Sequence, residues 1–176
     1  MKLSNDKIML IPFESNLHCG HVYRWYHSGD YEMAFGNIPL LTLQDCMNLK
    51  NTYMIVNPAR PDEVFGMYVL TDIQERHRNL KIHVLIDKKY QKQGVCFDSI
   101  KYMIYYIMNS MNMYLIEGCF AEDNLGSETI AKKIGFEFEG LRKQRVYHNG
   151  EFKNLKCYVL TKGTFNKRFK KELEER

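Results

Sequence analysis

The sequence predicts a mixed α/β (α+β) domain: a mostly antiparallel sheet with one parallel strand–helix–strand crossover and flanking helices. Three observations predict it. Strand-like runs fill the stretch from Tyr53 to Ile86. The apolar period then changes, and Ile100, Met103, Ile104, Ile107 and Met108 form a helical stripe. Finally, Asn149-Gly150 joins two strand-like runs, which is a strong hairpin signal. A chain of 176 residues with 45% hydrophobic and 26% charged residues is ordinary globular composition and can bury a substantial core. Disordered and fibrous classes are excluded for its bulk.

Lys7–Phe13 reads as a first strand. Asn16–His27 is helix-like and ends before Ser28-Gly29. Thr42 is a cap for a second short helix reaching Lys50. Tyr53–Asn57 and Val64–Thr71 read as strands, separated by a proline-marked turn, Pro58-Ala59-Arg60-Pro61-Asp62. Leu80–Ile86 is a third such run, and a helix follows Gly94. Tyr114–Ala121 is strand-like, so Leu80 to Ala121 should form a right-handed parallel crossover. Asn124 to Lys133 is helical. Phe136–Tyr147 and Glu151–Thr161 make the closing hairpin. The rest of the sheet is expected to be antiparallel, which excludes a doubly wound parallel architecture. Residues 1–161 are read as the domain and 162–176 as a basic tail, solvated as a helix or frayed.

Charge weighs against nucleic acid as a partner. The net charge is +4, and the tail alone carries +3, leaving +1 for the domain. A nucleic-acid-binding body would show a larger basic excess. The longest wholly apolar run, Tyr102–Met108, is too short to span a bilayer. The first ten residues, MKLSNDKIML, place charges where a signal peptide needs its apolar stretch. A soluble, cytoplasmic protein without membrane partners is expected. Cys19, Cys46, Cys96, Cys119 and Cys157 are scattered with no CxxC pair, so neither a disulfide framework nor a zinc ribbon is expected. His18, Cys19 and His21 lie close together, but on a helix that also carries Val22 and Trp25. No metal site is expected there.

The most informative segment is Asp87-Lys88-Lys89-Tyr90-Gln91-Lys92-Gln93-Gly94-Val95-Cys96-Phe97, between a strand and a helix. Backbone N–H groups at a helix N-terminus lack internal partners and, with the helix dipole, make an anion site. Gly94 allows close approach of a phosphate, and Lys88, Lys89 and Lys92 add positive charge. A plain surface turn with solvated lysines is the competing reading.

Here the residues resemble a family. Gln91-x-x-Gly94-x-Cys96 resembles the Q/R-x-x-G-x-G/A signature of the GNAT N-acyltransferases. Asn124-x-x-Ser127, then Lys133-x-Gly135-Phe136-x-x-Glu139-Gly140, resembles the next motif, most closely in the RimJ/RimL-type branch that includes spermidine acetyltransferases. Val64-Phe65-Gly66, Trp25 and the Asn149-Gly150 hairpin sit where that branch would have them. The resemblance implies a splayed sheet binding acetyl-CoA. The amides of Gln91, Lys92, Gln93, Gly94, Val95, Cys96 and Phe97 would hold the pyrophosphate. The strand edge at Leu85 and Ile86 would pair with the pantetheine arm, and Asn124 would line its far end. Cys96 stands where the family prefers Gly or Ala. It is small enough to be accommodated and is read as structural.

Direct acetyl transfer to an amine needs a base for the ammonium, polarisation of the thioester oxygen, and a proton for a thiolate of intrinsic pKa near ~8.5. Many members place a tyrosine four residues beyond the Ser127 position as that acid; here it is Ala131. Ser127, or a water that it holds, is the expected donor instead. The glutamate that many members use as base corresponds to Lys81. His83, two residues on and on the same face, is the first candidate base, with Glu117 second. Trp25, Asp30, Tyr31 and Glu32, with Tyr23 and Tyr26, make an aromatic and acidic cluster suited to a cationic amine. The expected activity is acetyl-CoA-dependent N-acetylation of a primary amine. A protein N-terminus is preferred over a polyamine or aminoglycoside; a homodimer is admitted but not required. The alternative is a non-catalytic acyl-CoA-binding module, motivated by Lys81 and Ala131.

Overall fold

In a computed structural model the structure describes residues 4–28, 41–148 and 150–174. Among these, seven strands form a sheet in the order β1-β2-β3-β4-β5-β7-β6. Their ranges are β1 Met9–Pro12, β2 Thr52–Asn57, β3 Arg60–Gln74, β4 Asn79–Ile86, β5 Leu115–Ala121, β6 Glu137–His148 and β7 Glu151–Thr161. The helices are α1 Ser15–His27, α2 Leu43–Met47, α3 Val95–Asn109, α4 Leu125–Ile134 and α5 Lys162–Glu174. The β4–β5 pair is parallel, while β1–β2, β2–β3, β5–β7 and β6–β7 are antiparallel. This is the mixed α/β class expected. Asp30, Tyr31, Glu32 and Asn149 lie outside the described residues.

The chain divides into two compact units. The first comprises residues up to Leu70 together with His83–Ser99. Its core gathers Val22 and Trp25 of α1, Cys46 of α2, Met54 and Val56 of β2, Met67 of β3 and Leu85 of β4. On α1, His18, Val22 and Trp25 are the buried positions, spaced four and three apart, which is one helical face. His18 is buried because it works locally: the Glu14 N–H donates to its Nδ1 at 2.8 Å. Thr42 caps α2 as expected. Its hydroxyl accepts from the Asp45 N–H while the Asp45 carboxylate accepts from the Thr42 N–H, a complete capping box.

Gly66 on β3 is dictated by close approach. A Cβ there would lie 2.1 Å from the Leu85 carbonyl oxygen, a clash with backbone that cannot swing away. The Asp87 N–H also donates to the Phe65 carbonyl at 2.8 Å, just past the end of β4.

The second unit comprises Thr71–Ile82 and Ile100–Arg176. Leu80, Met103, Ile104, Ile107, Ile116, Ile134 and Leu160 are almost wholly buried within it. The parallel ladder spans Asn79–Lys81 on β4 and Leu115–Glu117 on β5. Gly135 ends α4 in the left-handed region at φ 105, donating to the carbonyls of Ala131 and Lys132.

Two expectations change. The proline-marked turn is shorter than expected. Asn57 pairs with Arg60, so β3 starts at Arg60 and passes through exposed Pro61, with irregular register beside Val56. Proline is tolerated where no ladder donor is needed. The tail, expected to be solvated or frayed, is helix α5 and is anchored. Phe165 is fully buried, the Lys101 ammonium pairs with Glu172 at 3.0 Å, and the Lys162 ammonium donates to the Met108 carbonyl. Its charges hid two aromatics in contact, Phe165 and Phe169.

Candidate functional site

In the first unit, β4 ends at Ile86 and a single 3-10 turn, Lys88–Tyr90, leads into the predicted anion loop. Asp87 organises this junction. One carboxylate oxygen accepts from the Arg24 guanidinium at 2.9 Å and from the Trp25 indole N–H at 2.8 Å. The other accepts from the Lys89 N–H at 3.0 Å. Sequence reasoning quoted Asp87 but gave it no role. An aspartate just before a short polar turn was the available signal, since such residues bond the amide two positions on.

The loop is braced by its own side chains. The Gln91 amide donates to the Ile86 carbonyl at 3.0 Å, and the Gln93 amide donates to the Lys89 carbonyl at 2.8 Å. Lys92 and Gly94 both take positive φ, 61 and 85. This curls the backbone in the way that turns N–H groups towards an anion. α3 begins immediately after, and Asp98 N–H to the Gly94 carbonyl at 3.0 Å is its first ladder bond. The amides of Val95, Cys96 and Phe97 therefore precede the ladder, at the positive end of the helix dipole. A Cβ at Gly94 would have only the Asp98 carboxylate nearby, at 3.9 Å, so the space above it is open. Gln91, Lys92 and Gln93 are exposed and Val95, Cys96 and Phe97 half-buried. Burial pushes the Cys96 thiol up to about 12, so it is protonated at neutral pH. This donor set (clustered amides, a helix N-terminus, Lys88 and Lys89) fits a diphosphate.

A cavity of about 550 Å³ lies beside this junction, lined by His21, Arg24 and Trp25 of α1 and its C-cap Ser28, by Arg60–Val64 without Pro61, and by Asp87–Tyr90. Its charges are largely paired within it: Arg24 with Asp87, Arg60 with Glu63, and the Tyr90 hydroxyl donating to Glu63 at 2.9 Å. Burial and the nearby Arg24 lower the pKa of His21, with Asp87 opposing. Trp25 is 1% exposed, so it contributes an edge of its ring and a hydrogen bond to Asp87 rather than an open face. Leu85 is buried and Ile86 half-buried. His83 is half-buried on β4.

The second unit carries Glu117, Asn124 and Ser127. Asn124 is the N-cap of α4, its carbonyl oxygen accepting from the Ser127 N–H at 3.0 Å. This leaves the Asn124 NH2 group outside the cap. The Ser127 hydroxyl makes no hydrogen bond to any described residue, in contrast with Thr129, whose hydroxyl donates back to the Leu125 carbonyl. Ala131 is buried. Glu128, next to Ser127, accepts from Lys132, Lys156 and Tyr158. These bonds hold its carboxyl far below the ordinary 4.5, at about 2.

Glu117 is tied up. Its Oε1 accepts from the Arg142 guanidinium at 3.0 Å and from the Cys119 thiol at 3.1 Å, with the Lys81 ammonium 3.8 Å away. Lys81 also donates to Asp72 at 2.6 Å, and that bond is the main cause of its raised pKa. Arg142 and Asp72 were not singled out in the sequence. Both lie far from Glu117 along the chain, and only the fold brings them near.

Residues 8–137 match the family described as "Acetyltransferase (GNAT) domain". The chain is 26% identical over 92 residues to the spermidine N(1)-acetyltransferase of Escherichia coli (strain K12), covering 52% of this chain and 50% of that one. It thus spans about half the length of the curated relatives it matches. Among solved structures it is similar to the spermidine N-acetyltransferase from Vibrio cholerae in complex with CoA and spermine, with a TM-score of 0.83, 15% identity, and 92% and 99% of the two chains covered. It is also similar to the ribosomal-protein-S5-alanine acetyltransferase from Vibrio fischeri, with a TM-score of 0.75, 14% identity, and 92% and 96% covered. With the match extending over most of the described residues, from β1 to the start of β6, the chain belongs to the GNAT acetyltransferase family.

Proposed function

We propose that the protein is an acetyl-CoA-dependent N-acetyltransferase that moves an acetyl group to a primary amine by direct attack. The observation that carries this reading is the loop Gln91–Phe97. A positive-φ glycine feeds the N-terminus of α3 beside three lysines, an arrangement suited to a diphosphate. Acetyl-CoA supplies the activated acetyl thioester. Gln91 and Gln93 hold the loop, and the amides of Gly94, Val95, Cys96 and Phe97 bind the anion. Leu85 and Ile86 lie beyond the last β4–β5 ladder pair, on the strand segment that would face the pantetheine arm. Asn124, with its carbonyl oxygen committed to the cap, offers its NH2 group to that arm.

His83 takes the proton from the ammonium. Glu117 is the weaker candidate, because its carboxylate already pairs with Arg142 and lies 3.8 Å from the Lys81 ammonium. Ser127, with a hydroxyl that meets no described residue, gives a proton to the departing thiolate directly or through water. The candidates for the acceptor side remain Trp25, Asp30, Tyr31 and Glu32, the last three outside the described residues. The acceptor is a protein N-terminus, in line with the Asn-x-x-Ser arrangement without a following tyrosine. A polyamine is the second reading, favoured by similarity to spermidine acetyltransferases.

Thiol release from acetyl-CoA across peptides, polyamines and aminoglycosides tests both. Release above the protein-free rate with α-amino peptides is expected. Release with spermidine alone would move the acceptor to the second reading. Tight acetyl-CoA binding without release on any amine would leave only an acyl-CoA-binding module, in keeping with the charged Lys81.

A further inference from the structure

Cys119 and Cys157 are directly paired across the antiparallel β5–β7 ladder. Their sulfurs are 2.8 Å apart, and both are free thiols. Sulfur atoms bond at about 2.05 Å, so closing the pair needs a movement of less than ~1 Å within one ladder rung. Cys119 is half-buried and Cys157 is 2% exposed. One thiol is therefore reachable and the other waits behind it. The geometry points to a two-thiol redox site: Cys119 as the entry cysteine and Cys157 as the resolving one, closing to a disulfide in the presence of a disulfide oxidant such as oxidised glutathione.

The surroundings fit the entry step. Cys119 has one proton and two acceptors close by, the Cys157 sulfur and the Glu117 carboxylate at 3.1 Å. The carboxylate is the stronger acceptor. Glu117 therefore stands where the thiol proton must go, and the Arg142 guanidinium on the same carboxylate favours negative charge nearby. The Cys119 thiolate attacks one sulfur of the oxidant, forming a mixed disulfide and expelling one glutathione thiolate. The Cys157 thiolate then attacks the Cys119 sulfur and expels the second glutathione. Two protein thiols lose two protons and two electrons, and one oxidant disulfide is reduced to two thiols. Burial raises the Cys119 thiol, so the reaction is slow at neutral pH and speeds up as pH rises.

Glu117, Cys119 and Cys157 also satisfy the distance requirement of a metal cluster, all three ligand atoms lying within 4.8 Å of one another. Arg142 and Lys81 already occupy the carboxylate with positive charge, and three groups fall short of the four that a thiolate-rich zinc site uses. The redox reading is the better supported.

Incubating the whole chain with oxidised glutathione and mapping its peptides by mass spectrometry tests this. The expected result is loss of two of the five thiols, a mass lower by two hydrogens, and a peptide cross-link between Cys119 and Cys157. Cys157→Ser should instead trap a glutathione adduct on Cys119, and Cys119→Ser should form neither. Circular dichroism confirms that each variant is folded. If Cys119 and Cys157 both stay alkylatable while the urea-unfolded chain oxidises readily, the proposal is overturned. Stoichiometric zinc uptake lost in both variants would also overturn it in favour of a metal site.

Discussion

At the scale of single residues, the chemistry depends on a few groups placed by backbone. His83→Gln should lower kcat/KM at pH 7 at least about tenfold, in the range ascribed to a positioned base, and remove the histidine limb from the pH–rate profile. An unaltered profile would shift the base to Glu117 or a water chain. If Ser127 is the proposed proton donor, Ser127→Ala should reduce kcat more than KM, because that proton is needed only as the thiolate departs. Much of this was legible in the sequence. Gly94 was identifiable because its role is local, a glycine turn feeding a helix, whereas Asn124 was singled out only by the family resemblance and its helix cap was not foreseen. Nor was the engagement of Glu117. Cys119 is two residues along the same strand, but Arg142 and Lys81 come from β6 and β4, and only the sheet makes them neighbours.

At the scale of elements, close contacts decide what can change. Gly66→Ala drives a Cβ into the Leu85 carbonyl. It should destabilise the protein by about 1–3 kcal/mol, read from urea unfolding, as overpacking does. Wild-type stability in that variant would mean that β3 and β4 approach less closely than they do here. The Glu128 cluster ties α4 to β7. Its carboxyl is lowered from 4.5 to about 2. A depressed acid stabilises the fold above its unfolded value and loses that contribution as pH falls through the folded one. Glu128→Gln should therefore be less stable than wild type at pH 7, and the gap should close between pH 4.5 and about 2. A gap that stays constant over that window would refute the assignment. Caps such as Thr42 were readable because capping is a three-residue rule. The start of β3 was not, because the prolines dominate the local signal while pairing of Asn57 with Arg60 sets the boundary.

At the scale of the whole molecule, the basic segment after Thr161 changes meaning. Composition marked it as charge outside the domain, yet Phe165 is fully buried and Arg168 packs over Gly135. Phe165 and Phe169, four residues apart and in ring contact, are outweighed in composition by the surrounding charges, which is why the anchoring went unread. Phe165→Ala should cost about 3–5 kcal/mol and lower Tm. A Tm unchanged by that substitution would restore the view of a loose tail.

The central claim, that the Gln91–Phe97 loop binds the diphosphate of acetyl-CoA, is tested most directly by calorimetric titration of coenzyme A into the wild-type chain and into Gly94→Glu, with circular dichroism to confirm the variant's fold. Saturable binding by the wild type and none by the folded variant is predicted, since the added carboxylate would stand against the anion. Equal affinity in the two proteins would contradict the assignment.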